Sequence, residues 1–416
     1  MPRWSPEQVL ALAPDATAGR AARSLAGDSR WSDEGWDEGD TVWGQCRGSA
    51  TYRIAVELSG PAYSCTCPSR KVPCKHVLGL LLRWSEARVE PGLPPEWVDA
   101  WTSARAVRAA RRAAGTPRVA NPKTAVRRAE QVEAGLAELD RWLTDQVSVG
   151  VAGLASAGYE PFDLQAARLV DAKAPGAASM VRRLAAAAVS GSPERLVTEL
   201  GLLRLLVRGF ARRAELPAEM AATVAARVGI PVGTEDVLAQ PPVADTWTVL
   251  GVRDEIDEQL SSRRAWLRGE ATGRPALVLT FAGPGQPLGG DFVPGTAFEG
   301  ELCFYPGAAP LRALVKGRGG RVPARAVGTD VAGALDAWAA ALAGDPWTDR
   351  WPVLLEEVVP TRTHLVDPAG EALPLLGEPW DLVAAAGGRA CRVFGEYGLS
   401  GVRVLTAWVE DRVVVL

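Results

Sequence analysis

The spacing of apolar positions changes along the chain, and each change marks a different kind of structure. Within the first hundred residues, Thr51–Leu58 alternates, with Tyr52, Ile54, Val56 and Leu58 on one face and Thr51, Arg53, Ala55 and Glu57 on the other. A period of two predicts a half-buried strand, and Gly48-Ser49 before it predicts a hairpin with residues 41–46. Ser5-Pro6-Glu7 has the form of a helix start, with Ser at the N-cap and Pro at the first helical position. The run Val77–Trp84 reads as an apolar helix. Between these elements, residues 28–40 (DSRWSDEGWDEGD) are acidic, aromatic and glycine-containing. They are expected to form a solvated loop whose tryptophans fold back on the domain, in preference to a partner-binding loop.

From residue 124 to 229 the period becomes helical. Val132, Leu136, Leu139 and Leu143 recur at three- and four-residue spacing, as do Leu196, Leu200, Leu203, Leu206 and Phe210. Such stripes, separated by short Gly/Pro breaks, predict helices packed as a bundle or as hairpins. After Pro241-Pro242 strand-like segments dominate: Ala276–Phe281, Phe298–Tyr305, Val353–Val359, Ala390–Phe394, Val402–Val409 and the closing Val413–Leu416. Helices are expected at Thr329–Leu342 and at Trp380–Ala386, the second ended by Gly387-Gly388. The predicted organisation is therefore a domain at 1–100, a connector at 101–128, a helical domain at 129–242 and a β-rich α+β domain at 243–416.

Composition adds limits rather than an identity. At 416 residues and 47% hydrophobic, the chain has material for two or three cores, and its composition excludes intrinsic disorder, a collagen-like repeat and a disulfide-dense miniature fold. The formal net charge of -3 argues against a uniformly basic nucleic-acid coat. Charge is nonetheless uneven. Trp101–Arg128 holds eight basic residues and no acidic one, and reads either as a solvated connector or as a phosphate-contacting arm. No run of eighteen apolar residues and no leader-like N-terminus is evident, so a cytoplasmic protein with reduced thiols and no membrane partner is expected.

The small counts carry the chemistry: six cysteines and two histidines. Cys65, Cys67, Cys74 and His76 fall within twelve residues, a window expected by chance to hold roughly 0.2 Cys and 0.06 His. Three thiolates and an imidazole form the donor set of a closed tetrahedral zinc site. Cys65-Thr66-Cys67 can turn both sulfurs inward after the strand. The loop Pro68–Pro73 then returns the chain to Cys74 and His76 at the entry of the apolar helix. The competing reading, a redox pair at Cys65 and Cys67, leaves the nearby His unexplained. Four protein donors leave no open position for water, so one structural Zn²⁺ is expected. Three thiolates and Zn²⁺ sum to about -1, which Arg70, Lys71 and Lys75 can offset.

This pattern, Cys-X-Cys, six residues, Cys-X-His, set between an alternating strand and an apolar helix, resembles the bacterial SWIM-type zinc finger family. The likeness covers about Val42–Trp84. It implies that Cys65, Cys67, Cys74 and His76 bind zinc, in a small ββα-like N-terminal module, and that the finger serves binding of nucleic acid or protein. The larger arrangement resembles proteins encoded beside MoxR-type ATPases and von Willebrand A proteins, which makes such a system a further expected partner.

Outside the finger little points to catalysis. His364 would be the only imidazole left, and a surface or structural role is the plainer expectation. No P-loop or dinucleotide glycine pattern is present. Lys316–Arg321, followed by Arg325, reads as an exposed basic turn rather than a phosphate site, and Cys46, Cys303 and Cys391 as buried, reduced packing residues. The expectation is a multidomain α+β, non-enzymatic adaptor whose Arg70, Lys71, Lys75, Arg105, Arg108, Arg111 and Arg112 contact DNA, RNA or an acidic protein. The alternative is an enzyme with an unadvertised site in 243–416, the finger serving to target it.

Overall fold

The computed structural model describes the chain apart from residues 1–2, 28, 38–39, 70, 114–121, 152, 155–157, 257–259, 284–285, 287, 289–291 and 411, and apart from the side chains of 106, 108–113 and 122–125. Helix and strand alternate in blocks, giving an α+β, multidomain protein.

The N-terminal block is an antiparallel sheet in the order β1 (Trp31–Trp36), β2 (Thr41–Arg47), β3 (Thr51–Glu57), β4 (Ala62–Cys65). Three helices accompany it: α1 (Pro6–Ala11), α2 (Ala16–Ala26) and α3 (Lys75–Ser85). The first starts where Ser5 and Gln8 cap each other's backbone N–H groups, so the Ser-Pro signal acts as expected. The predicted hairpin is present, with Thr41 opposite Glu57 and Cys46 opposite Tyr52.

Two expectations for this block need correction. The acidic stretch is not a loop throughout, because Trp31–Trp36 pairs with β2 as an edge strand. Its acids are compatible with a strand since Arg83 neutralises Glu34 through two hydrogen bonds of 2.6 and 2.7 Å, while Trp31 is buried and donates from Nε1 to the Leu25 carbonyl. Gly35 completes the fit, for a Cβ there would lie 2.4 Å from the Trp43 ring. The second correction concerns Ala55 on the polar face of β3, a face on which Thr51 and Arg53 stay exposed as expected. Ala55, assigned to the polar face, is 0% exposed, because Trp43 and the helix α4 (Glu96–Ala113), through Trp97, Val98 and Trp101, form a second small core over it.

Helix α4 runs well into the basic segment, and Pro122 opens α5 (Pro122–Val149) at its first position. With α6 (Glu160–Asp171), α7 (Pro175–Val189), α8 (Pro193–Ala211) and α9 (Ala218–Val228), it encloses one apolar core. Every position of the two leucine stripes read from the sequence is buried there. Gly229 ends α9 at φ +105°, and a Cβ at that point would meet the Gly176 backbone of α7 at 2.7 Å.

After the short α10 (Thr234–Leu238), the C-terminal half contains two antiparallel sheets. The first has the order β7 (Pro275–Ala282), β6 (Ser261–Gly269), β5 (Val243–Glu255), β8 (Ala297–Phe304), β9 (Ala313–Val322). The second has the order β12 (Ala372–Pro374), β11 (His364–Val366), β10 (Trp351–Pro360), β13 (Cys391–Gly398), β14 (Gly401–Val409), β15 (Arg412–Val415). Leu250, Trp266, Leu277, Leu354, Phe394 and Leu405 pack between them. Helices α11 (Val331–Gly344) and α12 (Trp380–Ala386) lie against the second sheet. The expected basic turn at Lys316–Arg321 is corrected to strand β9. Its arginines are absorbed there: Arg318 lies 4.0 Å over the Phe298 ring and Arg321 pairs with Asp40 of the N-terminal block. No helix among the described residues is long and apolar enough to cross a membrane.

Candidate metal centre

Strand β4 ends at Cys65, held in register by the pairing of Ile54 with Cys65. The chain then turns through Thr66, whose backbone N–H donates to the Arg53 carbonyl while its hydroxyl accepts from the Arg53 N–H at 3.0 Å. Both bonds anchor the Cys-X-Cys turn to β3, so the two sulfurs leave a rigid sheet edge. The loop that follows contains a cis Val72–Pro73 bond and delivers Cys74 to the N-cap of α3, with His76 on the first turn. Helix α3 is fixed by its own burial, since Val77, Leu78, Leu80, Leu81, Leu82 and Trp84 all enter the N-terminal core. Sheet edge and helix start are thus each anchored by their own contacts, and the four donors meet in the gap between them, which a metal would bridge.

The donor atoms of Cys65, Cys67, Cys74 and His76 all lie within 4.8 Å of one another. His76 Nδ1 is 3.9 Å from Cys65 Sγ. Tetrahedral zinc with ordinary Zn–S and Zn–N bonds separates its donors by roughly 3.5–3.8 Å, so small movements close this group on one ion. The donor set, three soft thiols and an imidazole, suits zinc. Its electrostatics agree. The Cys65 thiol donates to the Cys74 sulfur, and the Cys65 pKa is pushed up by that bond and by burial. Cys74, as acceptor, is pulled down to about 4 against its own burial. A thiolate is thus already favoured at the helix start, where zinc needs one. When bound, the ion supplies a structural staple with all four positions taken by protein.

One supporting residue has no signal in the motif. Tyr52 of β3 lays its ring over His76, with centroids 4.9 Å apart, and its hydroxyl sits 2.5 Å from Ser49 Oγ. It packs against one side of the imidazole. Cys46, the nearest remaining cysteine in sequence, is buried in the same core but outside the four-donor group. Cys303 and Cys391 are buried in the C-terminal half.

The residues expected to contact a partner are placed unequally. Lys71 is committed to Asp15 at 2.5 Å, an ion pair that lowers the Asp15 pKa. Arg105 pairs with Glu57 at 2.7 Å and reaches the Gly60 carbonyl. Lys75 is exposed on the first turn of α3 and makes no ion pair among the described residues. Arg70 lies outside the described residues, as do the side chains of Arg108, Arg111 and Arg112, whose backbone is part of α4. His364 opens β11 of the second C-terminal sheet, with Nδ1 2.9 Å from the hydroxyl of Thr363, and is not part of the four-donor group.

Comparison with known proteins agrees with this geometry. Residues 52–85 match the family model of the SWIM zinc finger, and residues 127–228 match that of the SWIM-associated four-helix bundle domain. No curated protein and no solved structure matches the chain. The chain thus carries a SWIM zinc finger, with Cys65, Cys67, Cys74 and His76 as the Cys3His donor group for one zinc ion, followed by a SWIM-associated bundle domain.

Proposed function

We propose that the protein is a non-catalytic interaction protein in which zinc holds the finger in shape for a macromolecular partner. The observation that carries this reading is the closure of the metal group: four protein donors within 4.8 Å leave no position for a substrate or a water nucleophile. A protein is favoured as the partner. Of the expected contact residues whose side chains are described, Lys71 and Arg105 are already paired with Asp15 and Glu57, and Lys75 alone is not, which weakens the case for a phosphate backbone. The neighbouring-system proteins implied by the sequence likeness, a MoxR-type ATPase or a von Willebrand A protein, belong to this class.

One observation favours nucleic acid as a second reading: Trp101–Arg128 contains eight basic residues and no acidic one. Affinity capture of the tagged full chain from its native cell, beside titration with duplex DNA and RNA at two salt concentrations, separates the two. The proposal expects a protein recovered stoichiometrically with the parent and lost with Cys74→Ser, and no strong salt-dependent shift. A shift that weakens steeply with salt and falls with charge reversal at Arg105, Arg108, Arg111 and Arg112 would instead establish nucleic acid.

A further inference from the structure

Arginines 264 and 268 stand four residues apart on β6, which places both on the face that carries Trp266 toward the second sheet. Their surroundings differ sharply. Arg264 meets Glu396, a carboxylate only 1% exposed that also receives Arg253, Arg350 and the Trp266 indole N–H. That end of the interface between the sheets is electrostatically closed. At the other end the Arg268 side chain has no hydrogen bond, ion pair or ring contact among the described residues, and burial pulls its pKa down. A half-buried guanidinium without a counter-charge carries a desolvation cost, and such groups are ordinarily paired.

Arg268 borders a cavity of about 270 Å³ between the two sheets and α11. The remaining wall is mainly apolar, with Leu250, Pro275, Trp351 and Val353 among its residues, and Thr329 also borders it. The guanidinium stands near the β6–β7 turn, where Arg268 Nη2 lies 3.9 Å from the point a Cβ on Gly273 would occupy. The cavity therefore offers one cation at the edge of an aromatic and aliphatic chamber, a size and lining that suit a small molecule.

We infer that this cavity is a binding site for a small organic monoanion, a carboxylate carrying an apolar body, with Arg268 as its counter-ion and Trp351 and Leu250 against the body. A single guanidinium without a second cation matches a carboxylate better than a phosphate dianion, and its planar fork accepts a carboxylate through two parallel bonds. The site does not depend on the function proposed for the finger.

The test is calorimetric titration of the full zinc-loaded chain with phenylacetate, indole-3-acetate and hexanoate, against phenylacetamide and inorganic phosphate. At least one carboxylate should bind saturably, and phenylacetamide and phosphate about tenfold or more weakly, as expected for loss of a charge-assisted pair. Arg268→Met should remove the preference for acid over amide and, without ligand, raise Tm because an unpaired charge is gone. Ala337→Trp, which keeps Arg268 but fills the chamber, should abolish binding of every probe. Absence of saturable binding by all three carboxylates overturns the proposal. So does equal affinity for acid and amide, or a preference for the acid that survives Arg268→Met. A Tm lowered by Arg268→Met would show that the guanidinium already serves a structural partner, and also overturns it.

Discussion

At the residue scale the metal group illustrates how far local spacing reaches. Four donors in twelve residues are legible because the ligands are neighbours in the chain, so no knowledge of the fold is required to bring them together. Tyr52 is different. It reaches His76 only because β3 pairs with β4 in the register that sets Ile54 opposite Cys65, leaving Tyr52 beyond the end of β4 and over the helix start. Nothing in the sequence announces that contact, which depends on pairing between segments. It can be tested against the ligands themselves. Cys74→Ser removes a donor and should abolish the one equivalent of zinc found by elemental analysis of the parent. Tyr52→Leu should retain that equivalent but release it to a competing chelator with roughly tenfold weaker affinity, the usual scale for loss of a residue that orients a ligand. Unchanged chelator competition in Tyr52→Leu would reduce the ring to a packing contact.

At the element scale, segments with uninterrupted apolar or alternating patterns were readable and segments rich in charge were not. Strand β10 is legible as Val353–Val359, and α11 as Thr329–Leu342, but β5 and β6 are not, because Arg253, Asp254, Arg263, Arg264 and Arg268 interrupt their apolar rhythm. All of these but Arg268 have partners that neutralise them, Asp254 for Arg263 across the sheet and Glu396 of the second sheet for Arg253 and Arg264. Sequence periodicity cannot see cross-strand pairing, and for the same reason β1 looked like an acidic loop and β9 like a basic turn. Glu356 of β10 shows what such a charge contributes. It accepts from Arg392 on the neighbouring β13 at 2.7 Å and from the Gly328 N–H at 2.9 Å, just ahead of α11. Burial works to raise its pKa, but these bonds and the Arg392 charge outweigh that and hold the carboxyl below its ordinary value. A depressed native pKa contributes stability that is present above the unfolded value, near 4.3, and is lost as pH falls through the native one. Glu356→Gln should therefore cost about 1 kcal/mol at pH 7, allowing for solvent screening, and its deficit should shrink on acidification below about pH 4. Urea melts of parent and variant across that range provide the measurement, and a deficit independent of pH would assign the effect to packing.

At the scale of the whole molecule, the finger is seated on the C-terminal half although more than two hundred residues separate them. Gln8 of α1 donates from Nε2 to the Pro294 carbonyl at 2.6 Å, and Val293 enters the finger's own core. Arg321 of β9 reaches Asp40 at 2.9 Å, with side chains 8% and 9% exposed, and its guanidinium lies within 6 Å of the Trp4 and Trp84 rings. The bundle is seated on the same half through Arg227 with Asp345 and through Trp347, whose indole N–H donates to the Leu202 carbonyl. Such long-range seating was beyond the reach of sequence reasoning, which resolves segments but not what covers them. The Arg321–Asp40 pair gives it a measurable signature. Burial raises the Asp40 pKa more strongly than the Arg321 charge lowers it, so the native carboxyl lies above its ordinary value. A raised carboxyl contributes stability that is complete below the unfolded pKa, near 3.9, and is lost as pH climbs through the native one. Removing Arg321 leaves Asp40 buried without its counter-charge and moves that native value higher still. Arg321→Met should accordingly cost about 3–5 kcal/mol at pH 7.5 and distinctly less at pH 5, where Asp40 can take up a proton. Combined with Asp40→Asn, the loss should be smaller than the sum of the single variants by about 1–3 kcal/mol. Zinc should stay at one equivalent in all three variants, because the donors are held by β4 and α3 rather than by β9. Urea melts followed by tryptophan fluorescence at both pH values, with zinc analysis alongside, make the comparison. An equal loss at the two pH values would mean that Arg321 acts through its contacts with Trp4 and Trp84, and not through the charge of Asp40.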